Sequence, residues 1–191
     1  MTLGGYLYWL PNLITLGRLI LVPALVYCVS VGEIAAAFWI FVLAGLSDAL
    51  DGLLAKRLNS VTRLGTFLDP IADKTLLVAA YVTLGMQDQL PLWLVILVVS
   101  RDLMIVGGAL LFQLMTHELN LRPLRISKLN TAAQIILIAV VLGQPGLGIT
   151  LPEGVMMILI WVTGITTLLS GTAYLVTWGM KAMRSDSTHR P

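Results

Sequence analysis

The amino-acid sequence predicts an all-α integral membrane protein with six transmembrane helices. Hydrophobic residues make up 58% of the 191 residues and charged residues only 12%, a balance that excludes an ordinary soluble domain. Apolar stretches of membrane-spanning length alternate with short polar connections. The basic residues outside these stretches fall in alternate connections, which is typical of a chain that crosses the membrane repeatedly.

A short interfacial segment, residues 1–10, is predicted to precede the first span. It contains aromatic types that favour the headgroup region of a bilayer, namely Tyr6, Tyr8 and Trp9. The first span is predicted from Pro11 to Ser30, because proline suits the first turn of a helix.

A polar stripe marks the entry of this first span. Asn12, Thr15 and Arg18 recur at every third position, which places them along one side of a helix. Hydrogen bonding between helices would account for the asparagine and the threonine. An arginine on the same side, however, needs an anionic partner at membrane depth.

The second and third spans are predicted to form a hairpin with four aspartates at one membrane face. The second span runs from Ile34 to Leu54 and the third from Thr66 to Met86. Within each span the acids are three or four residues apart and so share a helix face: Asp48 with Asp51, and Asp69 with Asp73. The connection between the spans is predicted to hold three basic residues, Lys56, Arg57 and Arg63.

The fourth and fifth spans also carry polar residues. The fourth span is predicted from Leu92 to Met115, and its adjacent Arg101 and Asp102 would point about 100° apart on a helix. Each of the two is therefore expected to find a partner elsewhere. After a basic loop, residues 117–128, the fifth span is predicted from Asn130 to Leu142 and beyond. Its entry carries a polar stripe formed by Ser127, Thr131 and Gln134.

The last part of the chain is predicted to cross the membrane once more. The segment GQPGLG around Pro145 is predicted to form a loop, since proline and glycine interrupt helices. The sixth span is predicted from Val155 to Trp178, and residues 181–191 form a polar tail. The whole chain, residues 1–191, is expected to be one transmembrane domain.

The charges of the connections predict the orientation. Basic residues occur in the second connection, the fourth connection and the C-terminal tail, whereas the other connections hold only acidic charged residues, Glu33, Asp88 and Glu153. By the positive-inside rule, both termini and the four aspartates face the cytoplasm. The membrane would be a bacterial inner membrane or an equivalent organelle membrane.

The four aspartates predict a site for divalent cations. Carboxylates at membrane depth are costly and need a cation, and Mg²⁺ or Mn²⁺ prefers hard oxygen ligands. Four carboxylates are enough for two ions, as in two-metal phosphoryl-transfer sites. Two alternatives are an intramembrane salt-bridge network without metal and an ion transporter. The crowding of the acids near one face, beside glycines and basic residues, favours the enzyme.

The same stretch resembles a family signature. Asp48-x2-Asp51-Gly52-x2-Ala55-Lys56-x8-Gly65-x3-Asp69-x3-Asp73 is similar to the motif of the CDP-alcohol phosphotransferases, and PNLITLGR resembles the first-helix pattern of that family. The departure is Lys56, where the family has arginine, so the charge is kept but the bidentate fork is lost. The resemblance implies a six-helix membrane fold, usually homodimeric, with a polar cavity that faces the cytoplasm.

The resemblance also implies roles for individual residues. The ligands of two Mg²⁺ or Mn²⁺ ions would be Asp48, Asp51, Asp69 and Asp73, and Asp73 is further implied to be the general base. The CDP group would contact Asn12, Thr15, Asp51, Gly52, Lys56 and Gly65. Members of the family join a CDP-linked donor to an alcohol and release CMP. In the implied mechanism the base removes the proton of the acceptor hydroxyl, and the alkoxide attacks the β-phosphorus.

Two segments outside the motif indicate the acceptor. SRDLMIVGG at Ser100 and ISKLNTAAQ at Ile126 resemble the cardiolipin synthases, which use CDP-diacylglycerol and phosphatidylglycerol. The phosphatidylglycerophosphate synthases, an alternative, tend to carry one more lysine there, which suits glycerol 3-phosphate as a small dianion. The implied ligands of the acceptor phosphate are Arg101, Lys128, Arg122 and Arg125. Topology and attraction to anionic lipid would account equally well for the loop arginines. No nucleic-acid partner is expected.

Overall fold

The computed structural model describes the backbone of residues 10–58, 63–116 and 125–187, and the side chains of residues 16–47, 74–108 and 126–177. All regular secondary structure in these ranges is helical, which confirms the all-α prediction for this part of the chain. The helices are α1 (Leu10–Ser30), α2 (Ile34–Leu58), α3 (Arg63–Met86), α4 (Leu92–Thr116), α5 (Arg125–Leu147) and α6 (Glu153–Ser187). Each helix contains most or all of one predicted span.

Three helices include basic residues that were predicted to lie in connections. α2 continues to Leu58 and α3 begins at Arg63, so the prediction that Lys56, Arg57 and Arg63 lie outside the helices is wrong. α5 begins at Arg125, which places Lys128 on a helix as well and not in the predicted loop. Lysine and arginine are good helix formers, and their charge alone therefore does not indicate a loop.

The predicted loop around Pro145 is also wrong, because α5 continues to Leu147. Tight packing accounts for this continuation. A Cβ added at Gly146 would lie 3.2 Å from both the Ala35 Cα and the Phe38 Cβ, so the glycine allows the end of α5 to lie close to the start of α2. This tertiary contact outweighs the weak helix propensity of the segment.

Three helices end in the same backbone motif. Within two residues beyond each of these helix ends, one residue adopts the left-handed conformation: Gly32 (φ 82°) after α1, Asp88 (φ 55°) after α3 and Gly148 (φ 66°) after α5. The next N–H donates to a carbonyl oxygen in the last turn: Glu33 to Cys28 at 2.8 Å, Gln89 to Leu84 at 2.9 Å, and Ile149 to Gln144 at 2.9 Å. This Schellman arrangement satisfies carbonyl groups that a helix end leaves open. All three ends lie in the connections that lack basic residues.

The chain divides into two compact units. The first unit comprises Met1–Leu92 and Ile138–Pro152, and within it α1 packs against both α2 and α3. Its largest fully buried side chains are apolar or aromatic: Leu25, Tyr81, Leu84, Ile138 and Leu142. Arg18 of the predicted polar stripe is buried in this unit as well, with 2% of its surface exposed. The first unit therefore has an apolar core into which α1 carries one cation.

The second unit comprises Trp93–Leu137 and Glu153–Pro191, and its interior is more polar. Leu94 and Val98 are fully buried, and the rings of Trp93 and Trp161 pack with their centroids 5.4 Å apart. Alongside them are buried polar residues, namely Arg101, Asp102, Asn130, Gln134, Thr163, Thr167 and Ser170. Because α6 runs to Ser187, residues 181–187 of the predicted polar tail are helical.

Two helical stretches within the described residues are long and apolar enough to cross a membrane, Ile126–Leu147 and Glu153–Thr177. Shorter apolar stretches occur in the described parts of α1, α2 and α3. Many large apolar side chains on the described helices are exposed, as lipid contact would require: Leu16, Ile20, Trp39, Leu43, Ile96, Leu103, Leu168 and Leu175. Six spans and a cytoplasmic orientation stay predictions.

Candidate active site

The predicted donor motif lies on two helices of the first unit. Asp48, Asp51, Gly52 and Lys56 belong to α2, and Gly65, Asp69 and Asp73 belong to α3, while Asn12 and Thr15 belong to α1. The backbone is helical at all these positions, which the three-residue and four-residue spacings of the acids require. The side chains of these residues lie outside the described part of the structure. Their assignments as metal ligands, CDP contacts and general base therefore stay predictions.

The chemistry of the donor set suits a hard divalent cation. Every acid of the motif is an aspartate, and carboxylate oxygens are the ligands that Mg²⁺ and Mn²⁺ prefer. Among the side chains that the structure describes, no group of three histidine, cysteine, aspartate or glutamate residues could hold a metal. By ligand type the motif suits a divalent ion, and its role as the metal site stays a prediction.

A buried cluster of hydrogen bonds joins α4, α5 and α6 in the second unit. Arg101 Nη1 donates to Asp102 Oδ1 at 2.6 Å, and Arg101 Nη2 donates to Ser127 Oγ at 2.7 Å and to Ser170 Oγ at 2.5 Å. We call these four residues the Arg101 cluster. Arg101 is 4% exposed and Asp102 is 1% exposed, so the two opposite charges neutralise each other away from water.

The expectation that Arg101 and Asp102 would not pair with each other is wrong. Neighbouring residues point in different directions on a helix, but the long arginine side chain folds back so that its guanidinium reaches the adjacent carboxylate. Burial favours this pairing, because two separate buried charges would be far more costly. The expected partners elsewhere are also present for the arginine, since Ser127 and Ser170 come from two other helices.

A second polar contact between α5 and α6 involves Asn130. Its amide oxygen lies 3.0 Å from Thr166 Oγ1 and 2.8 Å from Thr167 Oγ1, and the residue is fully buried. The Thr167 hydroxyl also lies 2.7 Å from the Thr163 carbonyl oxygen. A hydroxyl donates only one hydrogen, so both threonines are best satisfied if they donate to α6 and accept from the NH₂ end of the amide. In either orientation, one end of the amide has no hydrogen-bond partner among the described residues.

The residues predicted to bind the acceptor phosphate lie in different environments. Lys128 is exposed in the first turns of α5, and Arg101 is buried in the Arg101 cluster. Arg122 and the side chain of Arg125 lie outside the described part of the structure. The structure thus places a buried cation in the interior of α4 and an exposed cation near the start of α5. The binding roles of all four residues stay predictions.

The contribution of α6 to the Arg101 cluster was not predicted from the sequence. The signal that could have revealed it is a stripe of small residues at intervals of three or four: Thr163, Gly164, Thr167, Ser170 and Gly171. Such residues let membrane helices approach closely and supply hydroxyl groups for hydrogen bonds between helices. A Cβ added at Gly171 would lie 3.6 Å from the Arg101 Cγ, so this stripe is where α6 lies against the Arg101 cluster.

A protein-family model described as CDP-alcohol phosphatidyltransferase matches residues 8–169 of the chain. The matched region contains the whole stretch from Asp48 to Asp73 and three members of the Arg101 cluster. It ends one residue before Ser170.

Curated relatives carry two kinds of name. CDP-diacylglycerol--glycerol-3-phosphate 3-phosphatidyltransferase 1, chloroplastic, of Oryza sativa subsp. japonica is 34% identical, over 86% of this chain and 55% of its own length. Cardiolipin synthase (CMP-forming) of Homo sapiens is 32% identical, over 86% of this chain and 60% of its own length. CDP-diacylglycerol--glycerol-3-phosphate 3-phosphatidyltransferase of Bacillus subtilis (strain 168) is 33% identical, over 86% of this chain and 92% of its own length. The chain therefore spans little more than half of the first two relatives.

Proposed function

The chain belongs to the CDP-alcohol phosphatidyltransferase family, and on this premise we propose that it makes cardiolipin from CDP-diacylglycerol and phosphatidylglycerol with release of CMP. The observation that carries the reaction type is the four-aspartate motif on α2 and α3, which lies entirely within the matched region. The relatives support phosphatidyl transfer, since their names describe it for two different acceptors.

The charge of the second unit supports phosphatidylglycerol as the acceptor. Arg101 is buried against Asp102, so the pair carries no net charge. Lys128 is exposed at the start of α5, within ISKLNTAAQ, where the phosphatidylglycerophosphate synthases tend to carry one more lysine. One lysine fewer suits the single phosphodiester charge of phosphatidylglycerol better than the dianion of glycerol 3-phosphate, which would need more compensation. Glycerol 3-phosphate is the second candidate, supported by the names of the rice and Bacillus relatives.

The proposed reaction is a direct displacement. Asp73 accepts the proton of the acceptor hydroxyl as the new O–P bond forms at the β-phosphorus of CDP-diacylglycerol. The bond between this phosphorus and the bridging oxygen breaks, and that oxygen leaves with CMP. Proton, phosphatidyl group and leaving group are thus all accounted for without a covalent enzyme intermediate.

The remaining motif residues hold and orient the donor in this proposal. Asp48, Asp51 and Asp69, with Asp73, would hold two Mg²⁺ or Mn²⁺ ions, which when bound offset the negative charge of the phosphates. The CDP group is assigned to Asn12, Thr15, Asp51, Gly52, Lys56 and Gly65, where the glycines leave room for a nucleotide beside the backbone. Lys56 supplies a point charge in place of the bidentate arginine of the family.

The proposed setting is a membrane with the site open to the cytoplasm, and the active form is proposed to be a homodimer. Two long apolar helical stretches support the membrane location, and the basic residues between alternate apolar stretches support the cytoplasmic orientation. CDP-linked lipid and soluble CMP would then reach and leave the same membrane face.

The test is an assay of CMP release by the purified chain in detergent with CDP-diacylglycerol and each acceptor separately. The expected result is turnover with phosphatidylglycerol and formation of cardiolipin. Turnover with glycerol 3-phosphate but not with phosphatidylglycerol would replace the proposed acceptor with the second candidate. A lack of CMP release with either acceptor, together with ion flux in vesicles, would instead support the transporter class.

A further inference from the structure

Ser170 lies at a position that neither the motif nor the family match covers. It is on α6, fully buried, one residue beyond the matched region. Its hydroxyl oxygen accepts a hydrogen bond from Arg101 Nη2, so a residue late in the chain is bonded to a cation assigned to acceptor binding. This hydrogen bond therefore helps to fix the orientation of the Arg101 side chain.

The two serines together fix the guanidinium of Arg101. Both hydrogens of Nη2 are used, one by Ser127 and one by Ser170, and Nη1 is bonded to Asp102. Because the guanidinium is a rigid plane, bonds to three different residues define its position and its rotation. Removal of the Ser170 hydroxyl would leave one Nη2 hydrogen without its acceptor and would allow the plane to turn.

The donors left over in the cluster point to an anionic ligand. Arg101 Nε is buried and has no hydrogen-bond partner among the described residues. Each serine hydroxyl accepts from Nη2 and keeps its own hydrogen for another acceptor. Buried N–H groups in native proteins almost always have a partner, and a phosphate oxygen would satisfy Nε and a serine hydroxyl together.

The Arg101 cluster also fixes the first turns of α5, which carry the exposed Lys128. Ser127 directly precedes Lys128 in the first turns of α5, and its bond to Arg101 ties this turn to α4 and, through Arg101, to α6. We propose that Ser170 is a positioning residue for acceptor binding, which holds Arg101 and the Lys128 turn in the arrangement that receives the acceptor phosphate. This inference rests on the proposed function, because only that proposal assigns the acceptor to this unit.

The test compares Ser170→Ala with a matched control on the same helix. Thr172 is exposed, and among the described residues its hydroxyl bonds to two carbonyl oxygens of α6, at 3.0 and 3.1 Å. Ser170→Ala should raise the KM for phosphatidylglycerol about ten-fold, the worth of one hydrogen bond to a charged group, and leave the KM for CDP-diacylglycerol unchanged. Thr172→Ala should change neither KM, and Ser170→Thr, which keeps the hydroxyl, should restore much of the acceptor binding.

A second measurement separates this inference from the proposed function. Thermal unfolding of the purified full chain is followed in micelles that contain phosphatidylglycerol or phosphatidylcholine, with glycerol 3-phosphate as a further condition. The wild-type chain and Thr172→Ala are expected to unfold at a higher temperature with an acceptor present, and Ser170→Ala to lose this difference. This outcome supports the positioning role even if the chain releases no CMP, in which case the proposed function alone fails.

Three results would overturn the inference. One is equal stabilisation of the wild-type chain and Ser170→Ala by the acceptor. Another is an equal rise of both KM values in Ser170→Ala, which would indicate a merely structural serine. The third is the absence of acceptor-dependent stabilisation in the wild-type chain, since the Arg101 cluster would then receive no phosphate.

Discussion

Replacing Arg101 by methionine tests how much the buried ion pair stabilises the second unit. The change removes three hydrogen bonds and deprives the Asp102 carboxylate, 1% exposed, of this cation. Breaking one side of a buried pair typically costs about 3–5 kcal/mol. With about 2–4 °C per kcal/mol for a chain of this size, the unfolding temperature should fall by roughly 6–20 °C.

The double variant Arg101→Met/Asp102→Leu should recover most of this loss. The second change removes the carboxylate that the first leaves without the arginine, and methionine replaces the apolar stem of the arginine. Buried ion pairs can often be exchanged for apolar residues of similar volume at little cost in stability. The unfolding free energy of the double variant is therefore expected to differ from that of the wild-type chain by about 1 kcal/mol. This difference corresponds to a shift of a few degrees in the unfolding temperature.

Two optical signals can follow this unfolding in detergent. Trp93 and Trp161 lie in the same unit as the Arg101 cluster, whereas Trp39 lies in the other, so tryptophan fluorescence reports on both units together. Cys28, the single cysteine of the sequence, lies in the other unit and reports there through a thiol-reactive dye. A wild-type unfolding temperature for Arg101→Met, or a double variant no more stable than the single one, would refute the ion-pair reasoning.

Three other substitutions give equally direct tests. Asp88→Val should lower the unfolding free energy by about 1 kcal/mol while Asp88→Gly should not, because φ is 55° there and a β-branched residue resists it; equal melting of both variants would contradict this. Gly164→Ala should lower the unfolding free energy by about 1 kcal/mol, because the added Cβ would lie 2.9 Å from the Trp93 ring. The control Gly154→Ala should not lower it, because no atom lies within 4 Å of the added Cβ. Asp73→Asn should abolish CMP release and preserve binding of CDP-diacylglycerol; near-normal turnover would exclude Asp73 as the base.

The six helices could be predicted from the sequence, but their ends could not. An apolar stretch in lipid must satisfy its backbone groups internally, and a helix does so at any position along the chain. The positions of the helix ends depend on small differences in free energy between helix and loop. The stretches around Lys56 and Lys128 remain helical because basic residues are good helix formers. Gly146 remains helical because it packs against Ala35, a contact that local propensity does not reveal.

The class of protein and the candidate donor site follow from the sequence alone, because both depend on residues close together in the chain. The type and spacing of four aspartates on two helices predict a divalent-cation site without knowledge of the packing. The surroundings of Arg101, in contrast, depend on how the helices of the second unit pack. It pairs with the adjacent Asp102 because burial excludes water, and it bonds to Ser170, 69 residues away. Hydrogen bonds between distant residues depend on how helices pack, and no spacing along the chain encodes them.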